Sequence, residues 1–236
     1  GPCSGGACYA PAICDFIFMV KNTSKMFITG PQVVKTVIGE ETTVEELGGA
    51  DMHSTKSGVN HFLYEQEKDC LGGVRKLLTY LPQNNEEVPC IEYGKPIDMS
   101  KDIVNIVPDN PKKAYDVHDV INTMIDKGSF FEVHKNWAKN IVVGFARMDG
   151  ESIGFVANQA KHMGGSLDVN ASDKAARFIR FCDCFNIPLV TLIDVPAFLP
   201  GKNQEHAGII RHGAKMLYAY SEATVPKISL IMRKAY

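Results

Sequence analysis

Two glycine-rich turns and one proline-rich loop contain the residue types that could do chemistry. The first turn, Gly5-Gly6-Ala7, comes just before a short helical pattern at residues 7–14. Glycines let the backbone pass close to a ligand, and a helix starting there points free N–H groups and its positive dipole end toward that ligand. Such groups can stabilise an enolate or thioester oxygen without any side chain. Tight backbone packing is the alternative explanation.

The proline-rich loop spans residues 194–201, after a short apolar strand and before a helical segment. Open α/β folds bind their ligands at the carboxyl ends of the strands, so the position suits a site. Pro196 and Pro200 make the loop rigid. A purely structural turn is the alternative interpretation.

The remaining polar motifs favour structural roles. Gly164-Gly165 is a second glycine-rich turn with the same weak specificity. His206 and His212 are six residues apart and do not share a helix face, so we expect no metal pair and predict that the charged residues at 205–215 face solvent or another subunit. The run 168–174, with Arg177 and Arg180, is typical of a solvated helix face. The sequence contains neither a Gly-x-Ser-x-Gly elbow nor a Walker loop.

Composition excludes several classes of protein. The chain has 236 residues, of which 45% are hydrophobic and 22% charged, as is usual for a globular protein. A net charge of -2 gives no basic field for nucleic acid, and no apolar run is long enough to span a membrane. The seven cysteines include no Cys-x-x-Cys pair, so we expect small buried hydrophobes rather than disulfides or metal ligands.

Alternating strand and helix patterns predict an α/β fold that positions these sites. Residues 40–60 are expected to form a surface loop, and residues 82–111, which hold five of the twelve prolines, a linker. Asp149-Gly150 predicts a hairpin. Strands are predicted at 16–20, 26–29, 140–147, 152–157, 188–194 and 227–232, the last two buried, and helices at 7–14, 30–38, 61–81, 116–125, 172–185 and 208–223. The two ends, a glycine-rich loop and an apolar strand, lead us to expect an internal fragment of a longer protein.

Eight motifs in order along the chain together resemble one enzyme family. It comprises the carboxyltransferase (beta) subunits of biotin-dependent acyl-CoA carboxylases, with propionyl-CoA carboxylase nearest and related decarboxylases and a transcarboxylase sharing the pattern. The motifs lie at residues 1–7 (GPCSGGA), 26–31 (MFITGP), 46–50 (ELGGA), 57–59 (SGV), 140–147 (NIVVGFAR), 194–201 (DVPAFLPG), 208–215 (GIIRHGAK) and 223–227 (ATVPK).

The resemblance implies a crotonase-like fold made of parts of two tandem domains, at residues 1–95 and 96–236. It assigns Gly5 and Gly6 as the catalytic oxyanion hole, with no metal. Substrate contacts would come from Ala7, Phe198, Pro200 and Gly201. The family's second hole follows a strand ending like residues 233–236, so we expect this chain alone to be inactive.

The implied reaction moves a carboxyl group from carboxybiotin to the α carbon of a short acyl-CoA, with propionyl-CoA the first choice and backbone amides stabilising the enolates. Biotin would be carried on a partner subunit or domain. Implied partners are further copies, as dimers assembled into a hexamer, and a biotin carboxylase and carrier, but neither nucleic acid nor membrane. The location would be the bacterial cytoplasm or the mitochondrial matrix.

Two other functions stay open at this point. A methylmalonyl-CoA or glutaconyl-CoA decarboxylase or a transcarboxylase would use the same site. A non-catalytic scaffold is supported only by Ala197, which stands where the family usually has glycine. A hydratase of the crotonase type would need paired carboxylates facing the thioester, and the sequence shows no such pair after the first turn.

Overall fold

The computed structural model describes residues 1–95, 97 and 105–236, which divide into two compact units. The first contains Gly1–Lys76 and His134–Trp137, and the second contains the described residues of Leu77–Val133 and Ala138–Tyr236. Helices and strands alternate in both, which confirms the predicted α/β class.

The first unit is built from short elements around two pairs of parallel strands. β1 pairs with β3, and β2 pairs with β4. Helix α2 begins at the predicted proline and ends before Gly39, whose φ is +74°. In chain order the elements are β1 (Pro2–Ser4), a 3-10 turn (Gly5–Cys8), α1 (Tyr9–Ala12), β2 (Phe18–Val20), β3 (Lys25–Phe27), α2 (Pro31–Ile38), α3 (Val44–Gly48), α4 (Ala50–Met52), a π turn (His53–Ser57), β4 (Phe62–Tyr64) and α5 (Glu67–Thr79), whose last three residues belong to the second unit.

The prediction of a surface loop at residues 40–60 is wrong, because the structure has α3, α4 and a π turn there. The Thr43 hydroxyl accepts a bond from Glu46 N, and the Glu46 carboxylate accepts one from Thr43 N at 3.0 Å, a capping box that starts α3. Gly48 is buried so close to β3 that a Cβ there would overlap the carbonyl of Met26. His53 is also buried, with Nε2 2.6 Å from Met26 O. The polar and glycine-rich composition therefore reflects capping and close packing.

The second unit is built on a five-stranded sheet in the order β5-β6-β7-β8-β9. The first two pairings are antiparallel and the last two are parallel. The predicted hairpin is confirmed, since Asp149 and Gly150 have φ values of +51° and +82° between β6 and β7. The elements are α6 (Val117–Ile121), β5 (Phe131–Val133), β6 (Ile141–Met148), β7 (Glu151–Asn158), a 3-10 turn (Met163–Gly165), α7 (Val169–Cys184), β8 (Leu189–Val195), α8 (Lys202–His206), α9 (Ile209–Glu222) and β9 (Lys227–Ala235).

Part of the core of the second unit lies where α7 packs on the sheet, and a further apolar cluster joins α6 to β6, β7 and β8. Phe145 on β6 is fully buried and its ring centroid lies 5.0 Å from that of Phe178 on α7. Gly154 on β7 permits this approach, because a Cβ there would lie 2.6 Å from the sulfur of Cys182. The sheet thereby holds the carboxyl ends of β7 and β8 in fixed positions.

Three further expectations differ from the structure. The predicted helix 61–81 begins with a strand, β4, because Phe62 and Tyr64 pair with β2, and the helix starts at Glu67. The helix expected over residues 116–125 ends at Ile121, although Asp116 caps it as predicted. The strand predicted at 227–232 forms as β9 but is not buried, since Ile228 and Ile231 are exposed on the outermost strand of the sheet.

The predicted division into two tandem domains stays a prediction. The boundary between residues 95 and 96, and part of the linker at 82–111, lie outside the described residues. Contacts divide the described chain between Lys76 and Leu77, so the compact units have other boundaries than the predicted domains.

The capping box gives a stability prediction. Thr43→Ala leaves the first N–H groups of α3 without their side-chain acceptor, so we expect the free energy of unfolding to fall by about 1 kcal/mol. Urea unfolding followed by circular dichroism measures the change. Thr42→Ala is the matched control, because that hydroxyl reaches only the next carbonyl at 3.4 Å, and we expect a change within about 0.5 kcal/mol. Equal losses for both variants would contradict the assignment of the cap.

Candidate functional site

The Gly5-Gly6 turn follows β1 and begins the 3-10 turn Gly5–Cys8. Gly5 has a φ of +62°, a conformation that strains any residue with a Cβ. A Cβ on Gly6 would have no neighbour within 4 Å, and one on Gly5 would meet only Ile28 O at 3.8 Å. Because the first N–H groups of a helix have no acceptor inside the helix, the turn offers donors with room beside them for a ligand atom. Ala7 is exposed in the same turn.

Cys8 anchors the far end of this turn. Its thiol donates to Cys3 O at 3.1 Å and to Phe27 O at 3.3 Å. The side chain is buried in an apolar cluster with Met26 of β3 and Met19 of β2. Since β1 is paired with β3 as well, both ends of the turn are fixed to the same strand.

The loop at residues 194–201 runs from the end of β8 to the start of α8. Gly201 is the N-cap of α8, with φ +134° and ψ 152°, a conformation confined to glycine. Phe198 is 40% exposed, and its ring lies against α9, because a Cβ on Gly213 would come within 3.0 Å of Phe198 Cε1. Pro200 is also exposed. Phe198, Pro200 and Gly201 therefore share one accessible loop in the second unit, whereas Gly5, Gly6 and Ala7 belong to the first.

Ala197 is accommodated in this loop without strain. It is not among the described non-glycine residues with positive φ. Its carbonyl accepts a bond from Leu167 N at 3.1 Å, and Leu199 N donates to Leu167 O at 2.8 Å. The exchange of glycine for alanine therefore leaves the loop anchored on the segment before α7.

A buried carboxylate holds the start of the loop. Asp194 is fully buried, and its Oδ2 accepts bonds from Arg233 Nη2 at 2.8 Å and Nε at 3.0 Å. Its other oxygen accepts from Lys234 N at 3.2 Å. Arg233 also donates to carbonyls of the preceding irregular segment, those of residues 108, 110 and 113. One ion pair thus joins the ends of β8 and β9 to that segment.

Asn158 links the second glycine-rich turn, Gly164-Gly165, to Asp194 at the end of β8. Its Nδ2 donates to Gly165 O at 3.1 Å, and its Oδ1 accepts from Asp194 N at 3.2 Å. Gly165 has a φ of +82°, and a Cβ on it would lie 2.6 Å from Asp194 O. The turn at Gly164-Gly165 therefore serves close packing against the end of β8.

The charged residues expected on the surface divide into two groups. Arg177 and Arg180 are exposed, as is His206. His212 is not solvent-facing, because Nδ1 lies 2.6 Å from Asp173 Oδ2 across α7 and α9. Lys174 contradicts the prediction more strongly.

Lys174 is 2% exposed and donates to Ile141 O at 2.8 Å. Burial lowers the pKa of Lys174 to about 7, and Glu132 opposes that shift. The position on α7 places this side chain toward the sheet, which the charge pattern alone did not reveal.

Sequence reasoning missed one polar network. His118 lies between two carboxylates, with Nδ1 2.7 Å from Asp116 Oδ1 and Nε2 3.0 Å from Glu132 Oε2. The bond to Glu132, and then that to Asp116, raises the pKa of His118. Although burial opposes the shift, bonds from Gln159, His118 and Lys161 hold the pKa of Asp116 well below its usual range. The N-cap pattern at Asp116 was the sequence signal that could have indicated this cluster.

Two further features of the molecule concern metal ions and membranes. Within residues 1–95, 97 and 105–236, no three His, Cys, Asp or Glu side chains come together as ligands for a metal ion. None of the described helices is long and apolar enough to cross a membrane.

Comparisons with known proteins place the chain among carboxyltransferases. The model of the carboxyl transferase domain matches residues 1–236. The carboxyltransferase subunit of propionyl-CoA carboxylase from Haloferax mediterranei is 60% identical over the whole chain, which covers 46% of that protein. The methylmalonyl-CoA decarboxylase subunit alpha of Veillonella parvula is 59% identical, with 47% of that protein covered. The chain thus spans just under half the length of the curated relatives it matches.

Solved structures give the same result for the fold. A crystal structure of transcarboxylase 12S, described as a hexamer assembly with hydrolysed methylmalonyl-coenzyme A bound, has a TM-score of 0.96 and 55% identity. The match covers all of this chain and 46% of the transcarboxylase chain. The predicted fold class, α/β of the crotonase-like type, is confirmed.

The Asp194–Arg233 pair gives the prediction for this part of the molecule. Arg233→Met leaves a carboxylate of zero exposure without its main partner, so we expect the free energy of unfolding to fall by about 3 kcal/mol or more. Lys35→Met removes an exposed pair, with side chains 65% and 78% accessible, and should cost less than about 1 kcal/mol. Chemical denaturation measures both. Similar small losses would show that Asp194 does not depend on Arg233.

Proposed function

Because the carboxyl transferase domain matches all 236 residues, the chain belongs to that family, and we propose that it forms part of a biotin-dependent acyl-CoA carboxyltransferase. The resemblance found in the eight sequence motifs is confirmed by the match. The match over all 236 residues carries the proposal, and the Gly5-Gly6 turn is the proposed site of the reaction.

The proposed reaction adds a carboxyl group to the α carbon of a short acyl-CoA, with propionyl-CoA the first choice. Carboxybiotin would supply the carboxyl group as its N–C bond breaks, and the biotin left behind would accept the α-proton. The electron pair of the C–H bond becomes the enolate, and the α carbon then bonds to the carboxyl carbon. Relatives named propionyl-CoA carboxylase and methylmalonyl-CoA decarboxylase are 60% and 59% identical, which supports both directions equally. A decarboxylase or transcarboxylase subunit is therefore the second candidate.

Gly5 and Gly6 are the proposed catalytic residues. When the enolate forms, negative charge develops on the thioester oxygen, and N–H donors already fixed in place stabilise it more than they stabilise the neutral thioester. The structure fits this role in two ways. The left-handed Gly5 turns the chain at the end of β1, and a Cβ on Gly6 would have no neighbour within 4 Å, so the space beside it is open.

Carboxybiotin would supply the carboxyl group, and we propose that a partner subunit or domain carries the biotin. The neutral ring of biotin and the acyl chain both need apolar surface with accessible backbone groups. Phe198, Pro200 and Gly201 offer such a surface, since all three are exposed and Gly201 lacks a side chain. Ala7 offers a small apolar contact beside the catalytic turn. These four residues are the proposed substrate contacts.

The proposed assembly is a homo-oligomer that works with a biotin carboxylase and a biotin carrier. The hexamer formed by transcarboxylase 12S supports the oligomer, and the relatives named as carboxylase subunits support the partners. The bacterial cytoplasm or the mitochondrial matrix is the proposed location. The alternative of a non-catalytic scaffold rested on Ala197 alone. It is no longer supported, because Ala197 does not have a left-handed backbone.

The function is tested by removing one N–H donor from the turn. Gly6→Pro eliminates that N–H, and we expect kcat for carboxyl transfer to propionyl-CoA to fall by about 100-fold to 1,000-fold. Gly6→Ala keeps the N–H and meets open space, so its loss should be much smaller. Steady-state assays of the native assembled protein measure both variants, and circular dichroism checks that each folds.

The same assays decide between the candidate functions. Carboxylation of propionyl-CoA that depends on ATP and bicarbonate supports the carboxylase. Release of carbon dioxide from methylmalonyl-CoA without ATP supports the decarboxylase. Equal rates for Gly6→Pro and the unchanged protein in both assays would refute the role of the turn.

A further inference from the structure

Two cysteines bracket the catalytic turn proposed above. Cys3 lies in β1 and Cys8 closes the 3-10 turn, so only residues 4–7 separate them in the chain. The Cys8 thiol donates to the carbonyl oxygen of Cys3 at 3.1 Å, which places its sulfur directly beside the Cys3 backbone. Both side chains pack in the same apolar cluster around Met26.

The Cys8 thiol also affects the ionisation of Cys3. Burial first, and then hydrogen bonding with Cys8, raises the pKa of Cys3. The raised pKa keeps the Cys3 thiol protonated at neutral pH. Cys8 is 6% exposed, whereas Cys3 is half-buried, so Cys3 is the thiol that a small molecule reaches first.

We propose that Cys3 and Cys8 form a redox modification site, which a small-molecule disulfide converts to an intramolecular disulfide across the Gly5-Gly6 turn. The site differs from the other cysteines in the described residues. Contrary to the expectation of buried cysteines, Cys14, Cys90 and Cys184 are exposed, whereas Cys70 is half-buried and Cys182 is fully buried in the second unit. Only a neighbouring pair can close such a bridge without a second protein.

The step is a pair of thiol–disulfide exchanges. The Cys3 thiolate attacks one sulfur of the small disulfide, whose S–S bond breaks and releases one thiolate. The Cys8 thiolate then attacks the Cys3 sulfur of the mixed disulfide and releases the second. Two protons from the cysteines pass to the two released thiolates, so the protein loses two hydrogen atoms and the small disulfide is reduced to two thiols.

Closing the bridge changes the turn that holds the proposed oxyanion donors. A disulfide fixes its sulfurs about 2.05 Å apart, which is much closer than two thiols in contact. The Cys8 thiol also loses the proton with which it bonds to Cys3 O and Phe27 O. Since residues 4–7 are the whole of the enclosed loop, we expect the bridge to shift the N–H groups of Gly5 and Gly6. This consequence rests on the proposed function, whereas formation of the bond does not.

The chemical test uses the native assembled protein with oxidised glutathione, followed by alkylation, proteolysis and mass spectrometry. We expect a peptide linked through Cys3 and Cys8, lighter by two hydrogen atoms and restored by dithiothreitol. Cys8→Ser keeps a donor for both carbonyls but cannot form the bond, and Cys3→Ala is a second variant. Cys14→Ser is the matched control and should link like the unchanged protein. Glutathione found on Cys14 with no Cys3–Cys8 linkage would overturn the proposal.

The functional test measures carboxyl transfer before and after oxidation. We expect a loss of about 100-fold, since misplacing a catalytic group by about 1 Å has that cost, with recovery in dithiothreitol. Cys3→Ala, which removes the thiol that reacts first, should keep its activity in oxidised glutathione, and Cys14→Ser should lose it. If the protein with the Cys3–Cys8 disulfide keeps its activity, the proposal that this disulfide controls the Gly5-Gly6 turn is overturned. If the reduced protein has no transferase activity, the proposed function fails, while the mass-spectrometric result still decides the modification site.

Discussion

The buried carboxylate of Asp194 is the constraint on which the second unit depends. A charge of zero exposure is stable only if ion pairs and hydrogen bonds replace the lost water. Between the paired residues Ile193–Ile231 and Val195–Ala235, β8 has one residue and β9 has three. This irregularity places Arg233 and Lys234 opposite the carboxylate. The need to pair one charge therefore sets the local register of two strands.

The same charge also fixes the surroundings of the exposed loop. Arg233 carries its remaining donors to carbonyls of the irregular segment before α6, and its guanidinium lies 4.7 Å from the ring centroid of Tyr115. Asn158 brings β7 and the Gly164-Gly165 turn to the backbone of Asp194. The loop that follows can be rigid because its first residue, Asp194, is hydrogen-bonded to Arg233, Lys234 and Asn158.

Periodicity and turn chemistry predicted the elements whose cause is local. The hairpin at Asp149-Gly150, the helix opened by Pro31 and the apolar strand before residue 195 all formed, because backbone preference and apolar pattern agree there. The prediction of a surface loop at residues 40–60 was wrong for a physical reason. Their polar and glycine content signals a loop, but the glycines serve close packing against β3 and Thr43 serves a cap. Such uses depend on contacts distant in sequence, which a local pattern does not contain.

The residues of the candidate site could not be predicted from a local sequence pattern either. Backbone donors leave almost no trace in a sequence, since any residue but proline has an N–H, and Gly5-Gly6 became specific only through resemblance to a family. What distinguishes the turn physically is its support. Gly5 is left-handed, β1 is paired to β3, and the Cys8 thiol bonds the carbonyls at both strands. An oxyanion hole of this kind is therefore most sensitive to residues that hold the backbone rather than to any reactive side chain, and the two cysteines flanking it are the places where chemistry could reach it.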